Sequence, residues 1–159
     1  MSDEYLIRCA TNEDGEAIRF VVSSVLREFG LTPDPRGTDA DLEDIETSYL
    51  QSGGSFDVLI DPSKQVVGTV GLFRLDGQRC ELRKMYLAAK CRGLGLGKRL
   101  LLRARERAVQ LGFQRIELKT HSSLLVASRM YESFGFKPLT LDPISDRCDK
   151  AYYLDLKTE

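Results

Sequence analysis

Between Cys91 and Arg99 the chain reads Cys-Arg-Gly-Leu-Gly-Leu-Gly-Lys-Arg, the segment whose residue types and spacing point most directly to chemistry. Alternating glycines (Gly93, Gly95, Gly97) let the backbone turn successive amides toward one point. A helix starting there adds unpaired N–H groups and partial positive charge, which suits an anion such as pyrophosphate. Arg92, Lys98 and Arg99 bring formal charge to the same place. Downstream, Tyr131 is a phenol with an ordinary pKa of about 10, protonated at neutral pH and able to donate. Its plain alternative is packing on its helix with Met130 and Phe134. Upstream, Glu81 can accept a proton, or can pair across strands with Arg74 or Arg79. His121 is the single histidine; its chemistry suits a base, and its place after a strand suits a loop.

Two familiar phosphate motifs do not fit the glycine segment. A P-loop places four residues between its glycines and then Gly-Lys-Ser/Thr, whereas three separate Gly93 from Gly97 and Arg99 follows Lys98. The dinucleotide fingerprint G-x-G-x-x-G fails because the spacing is G-x-G-x-G. The basic residues Lys98, Arg99, Arg103, Arg105 and Arg107 lack interleaved aromatics, so they read as a solvated helix face rather than a nucleic-acid surface.

Elements must hold these groups in place. Tyr5 to Ala10 reads as a strand, and Thr11 as the cap of a helix with Ile18, Val21, Val22, Val25 and Phe29 on one face. Gly30 ends that helix. A Pro- and Asp-rich loop, Thr32 to Asp39, leads to an acidic second helix around Leu42, Ile45 and Tyr49. Strands follow at Phe56 to Ile60, Val66 to Phe73 and Cys80 to Leu87, with turns at Asp61-Pro62-Ser63-Lys64 and Asp76-Gly77. The glycine segment opens a long helix ending at Gly112. A strand at Ile116–Leu118, a helix from Leu125 to Phe134 and two final strands, Phe136 to Leu141 and Ala151 to Leu156, complete the order. Such an order predicts an α/β (α+β) mixed sheet with helices on both faces, not a doubly wound dinucleotide fold.

The pattern R-x-x-G-x-G (Arg92, Gly95, Gly97), directly after a strand ending Lys84-Met85-Tyr86-Leu87, resembles the GNAT superfamily of acetyl-coenzyme A-dependent N-acetyltransferases. A second segment, Ala127-Ser128-Arg129-Met130-Tyr131-Glu132-Ser133-Phe134-Gly135-Phe136, is similar to the family's A-x-x-x-Y-E-x-x-G-F. The resemblance runs from about Ile7 to Leu156 and implies a mostly antiparallel central sheet, splayed at the cofactor site. It further implies acetyl-CoA as cosubstrate and direct transfer to a primary amine (a small molecule, an amino acid or a peptide amine) in a ternary complex, with no metal. Main-chain groups of Met85 and Leu87, with Tyr86 between them, would meet the pantetheine arm. Amides of Arg92, Gly93, Leu94, Gly95, Leu96 and Gly97 would hold the pyrophosphate, with Lys98 beside them. Tyr131 matches the tyrosine that protonates the departing thiolate, and Glu81 a glutamate that takes the amine's proton, often through water. Glu28 is a rival base at the end of the first helix. The family's Asn is Leu124 here, so its contact is absent or falls to Ser122 or Ser123. Arg83 shares a strand face with Glu81 unless a bulge intervenes, and would then be placed to pair a substrate carboxylate. A homodimer through the terminal strands is common in such folds. A coenzyme A-binding regulatory or scaffold module is the alternative class.

Length and composition set the remaining bounds. The 159 residues are enough for one domain, 1–159, with its own core. No apolar run approaches the ~20 residues of a membrane span, and the acidic start Met1-Ser2-Asp3-Glu4-Tyr5 lacks a signal core, so a cytoplasmic protein is expected. Four separated cysteines, with no C-x-x-C, predict free thiols. The net charge of −1 conceals a segregation: residues 1–57 carry −9, residues 58–91 +3, and residues 92–107 +5. The positive stretch lies where the cofactor is expected, and the acidic stretch predicts attraction of a cationic amine.

Overall fold

The computed structural model describes residues 4–142 and 144–156. Met1-Ser2-Asp3, part of the segment on which the no-export expectation rests, lies outside them. Period-two alternation dictates the strands: in β2 (Ser55–Ile60), Val58 enters one core and its neighbour Leu59 enters another. β1 (Leu6–Cys9) pairs antiparallel with β2, β2 with β3 (Val66–Arg74), and β3 with β4 (Arg79–Leu87). β4 then pairs in parallel with β5 (Arg115–Thr120), and β7 (Lys150–Asp155) joins β5 to the short β6 (Lys137–Leu139). The sheet order is β1-β2-β3-β4-β5-β7-β6, mixed and mostly antiparallel as the element order predicts.

Helices cover both faces. α1 (Gly15–Glu28) buries Ile18, Val22 and Leu26 against Phe56 and Val58. On the opposite face, α2 (Leu96–Gln110) and α3 (Leu125–Phe134) pack on Val70, Leu82, Ile116 and Leu118. Thr11 caps the chain's first helical turn, with Asp14 closing a capping box. Among the described residues, no helix is long and apolar enough to cross a membrane.

Two expectations change. The acidic second helix is instead a short 3-10 turn, Ala40–Leu42, followed by a π-helical turn, Glu46–Leu50. Asp44 explains the break, because its carboxylate accepts the Thr47 N–H and hydroxyl, both at 3.0 Å, and so caps a new turn. Leu42, Ile45 and Tyr49 are nonetheless buried as their spacing implies. The basic face of α2 is not simply solvated either. Arg103 and Arg107 turn in toward the buried Asp57 of β2, at 3.4 and 3.9 Å, and Arg105 stacks on Phe134. Burial pushes the Asp57 carboxyl up, while the two arginines oppose that shift.

Candidate active site

The sheet opens at β4. Its parallel ladder with β5 runs only from Arg79↔Arg115 to Leu82↔Leu118, although β4 continues to Leu87. On the other side the register jumps from Gly71↔Arg83 to Thr69↔Tyr86, leaving Lys84 and Met85 bulged opposite Val70. Lys84 takes a left-handed φ of 54°, and the Thr69 hydroxyl donates to its carbonyl at 2.6 Å. The bulge and the lost ladder together cleave the sheet into a wedge, with main-chain groups of β4 lining one wall.

A groove of about 310 Å³ occupies the wedge, bounded by Val25 and Phe29, Met85 to Leu87, the glycine segment and α3. Gly93 and Gly95 have φ of 81° and 78°, which only glycine adopts without strain. Gly95 precedes α2, whose first intrahelical bond runs from the Arg99 N–H to the Gly95 carbonyl at 3.2 Å. The amides of Leu96, Gly97 and Lys98 therefore sit at the open helix mouth. A methyl at Gly97 would stand 3.3 Å from the Met130 sulfur, so glycine is what lets α3 approach. Leu94 is exposed at the loop tip, whereas the Leu96 side chain belongs to the core. Unpaired amides, formal charge and an apolar trough fit a ligand with an anionic head and a slender arm.

Arg92 does something other than present charge outward. Its guanidinium is bidentate on Glu28, at 2.6 and 2.9 Å, and donates twice to the Leu87 carbonyl, at 3.1 and 2.9 Å. The hydrogen bonds from Arg92 hold the Glu28 carboxyl below its ordinary value. Glu28 is thus committed to the glycine segment and does not line the second cavity described next. The Leu87 carbonyl is likewise engaged, while Met85 has no register partner in β3 or β5.

Beyond the groove lies a cavity of about 560 Å³ between β4, β5, the 31–41 loop and the β6–β7 connection. The two spaces share Met85, Tyr86, Leu124, Ala127 and Tyr131. Tyr131 is buried and packed edge-on to Phe136 at 5.7 Å, and it lines both spaces. Among the described residues its hydroxyl has no hydrogen-bond partner. Burial, and then the neighbouring Tyr86 phenol, push its pKa up, which keeps it a proton donor. Glu81 lines the cavity wall and pairs with Arg83, not with Arg74 or Arg79; its second oxygen is 3.9 Å from the Lys119 ammonium. The bulge follows Arg83, so Glu81 and Arg83 do share a face. Arg79 instead binds Asp76 and Glu117.

His121 sits in the loop after β5 and also lines this cavity, with Nδ1 3.0 Å from the Ser123 N–H. Ser122 is bound to Asp149 and Ser123 to His121, and neither lines the groove, whereas Leu124 forms part of both walls. Sequence reasoning missed the network behind the cavity. Lys84 Nζ lies 2.8 Å from Asp39 and 3.4 Å from Asp41, Arg147 binds Asp39 at 3.0 Å, and the Tyr49 hydroxyl donates to Asp41. Burial alone would push the Asp39 carboxyl up, but hydrogen bonds from Arg147 and Lys84 prevail and hold it at about 2.

A splayed mixed sheet with a glycine-framed groove opening onto a polar cavity has the form of an acyltransferase site. The sequence profile described as "Acetyltransferase (GNAT) family" matches residues 20–136, and the chain belongs to that family. It is 39% identical over 137 residues to an uncharacterized N-acetyltransferase, YjgM, of Escherichia coli strain K12, spanning 83% of this chain and 81% of that protein. An acetyltransferase of the GNAT family from Staphylococcus aureus Mu50 superposes with a TM-score of 0.90 at 30% identity, covering 97% of this chain and all (100%) of that one. A phosphinothricin acetyltransferase from Sinorhizobium meliloti, solved in complex with AcCoA, shares the fold at a TM-score of 0.76 and 18% identity, covering 96% of this chain and 88% of that one.

Proposed function

We propose that this protein is a single catalytic domain that moves an acetyl group from acetyl-CoA to a primary amine by direct attack in a ternary complex. One observation carries the reading: the groove and the cavity meet at Tyr131, beside the bulged strand. A donor in the groove and an amine in the cavity would therefore face each other directly, since the described residues that line both spaces include no cysteine or serine. The cosubstrate brings the thioester. Main-chain groups at Met85 and Tyr86 orient the pantetheine arm, and amides from Gly93 to Gly97, with Lys98, hold the phosphates. Attack by the amine nitrogen on the thioester carbonyl forms the C–N bond and breaks the C–S bond. The Tyr131 hydroxyl protonates the leaving thiolate, and Glu81 takes the amine's proton, directly or through water. An alkylammonium with pKa about 10.4 is mostly protonated at neutral pH, which is why a base belongs there.

Thiol release from acetyl-CoA, measured across small amines, amino acids and a peptide amine, tests this. Turnover of at least one class, with acetylated amine found by mass spectrometry, is expected. Tight acetyl-CoA binding with no thiol release from any class would leave the scaffold alternative.

A further inference from the structure

The acidic N-terminal stretch suggests a cationic acceptor, yet its carboxylates are not offered to one. Asp39 is buried between Lys84 and Arg147, and Asp41 lines the cavity but accepts from the Tyr49 hydroxyl on Oδ2 and keeps Oδ1 buried 3.4 Å from the Lys84 ammonium. These pairings also consume the cavity's two buried cations, since the Lys84 side chain is 5% exposed and that of Arg147 15%. Among the described residues, the charged side chains that line the space without being spoken for by that network are on β4 and β5. The Arg83 side chain is 32% exposed and that of Lys119 56%, with Glu81 between them. Arg83 takes one Glu81 oxygen; the other is 3.9 Å from Lys119, too far for a hydrogen bond, so that oxygen and the Lys119 ammonium are both open.

The wall therefore reads cation, carboxylate, cation. A diamine or a lysine side chain brings only positive charge to it and meets two like charges for one unlike charge. A peptide N-terminus brings an ammonium and a neutral amide. An α-amino acid carries ammonium and carboxylate on one carbon, so it can meet Glu81 and a neighbouring cation at once. We infer that the acceptor carries a carboxylate beside its amine, as a free α-amino acid does, with Lys119 and Arg83 binding the carboxylate and Glu81 receiving the amine. This rests on the acetyl-transfer reading above and narrows it.

The experiment compares L-leucine and L-alanine with their amides, with 3-methylbutylamine and with putrescine, at saturating acetyl-CoA. The free acids are expected to exceed their amides at least tenfold in kcat/KM. Lys119→Gln should lower kcat/KM for the acids about tenfold and for the amides far less, while Lys119→Arg keeps the preference. Lys119 lies on the strand surface away from the core, so these variants keep the fold. Amides or 3-methylbutylamine used as well as the acids, or a preference that survives Lys119→Gln, would overturn the inference while leaving amine acetylation intact. No thiol release from any acceptor, despite measured acetyl-CoA binding, would bring down the acetyl-transfer reading and this inference with it.

Discussion

At Tyr131 two demands meet in one side chain. The ring fills space against Phe136 and Tyr152, while the hydroxyl, at the junction of groove and cavity, has no hydrogen-bond partner among the described residues. Removing only the oxygen separates the two. Tyr131→Phe keeps the packing, so thermal stability and acetyl-CoA affinity should stay close to those of the parent. Loss of the proton donor should lower kcat by roughly a hundredfold or more, the usual scale for a positioned general acid. Because burial and Tyr86 raise the Tyr131 pKa, deprotonation of this phenol should not shape the alkaline side of the rate profile below pH 10. A kcat in the phenylalanine variant within a few-fold of the parent's would remove Tyr131 as the acid.

Among the elements, β4 and the end of α1 set the groove. β4 supplies the bulge, and α1 supplies Val25 and Phe29 as the facing wall. Arg92 ties them together through Glu28 and the Leu87 carbonyl, so its side chain acts as a brace for groove width. Glu28→Gln keeps the size and one acceptor but removes the charge-assisted pair, which is part-exposed and worth up to about 1 kcal/mol. The expected result is a three- to fivefold rise in KM for acetyl-CoA with kcat nearly unchanged; a fall in kcat at constant KM would instead mark Glu28 as a base. Much of this site was legible in sequence because its signals are local. Glycines at alternate positions before a helix, and Tyr131 four residues after Ala127, declare themselves within a few residues. The bulge at Lys84 was not legible, since it depends on Thr69 reaching across from β3. Nor was the Arg92–Glu28 pair, which joins positions far apart in the chain. The π-helical turn at Glu46–Leu50 was hidden for another reason: Asp44 as a cap and Asp44 as a solvated helix residue look alike until a partner is seen.

Across the whole molecule, charge segregation in the sequence becomes an internal tie. Asp39 from the acidic loop, Lys84 from the bulge and Arg147 from the β6–β7 connection are three distant segments brought to one buried point behind the larger cavity beside β4. A carboxylate held between two cations has its folded pKa, about 2, below its unfolded value near 3.9. Its contribution is therefore fully present above pH 4 and is lost as pH falls toward 2, a change of about 2 kcal/mol. Asp39→Asn removes the charge and leaves Lys84 and Arg147 facing each other, so it should destabilise the fold at neutral pH by roughly 3 kcal/mol, or about 10 °C in Tm. The same variant should show a flatter dependence of unfolding free energy on pH between 4 and 2 than the parent. Equal slopes in that window, measured by denaturant titration at each pH, would mean that acid sensitivity resides in other carboxylates. The flatter slope is the sharper test, because general damage to packing would lower stability at every pH without changing its dependence on protons.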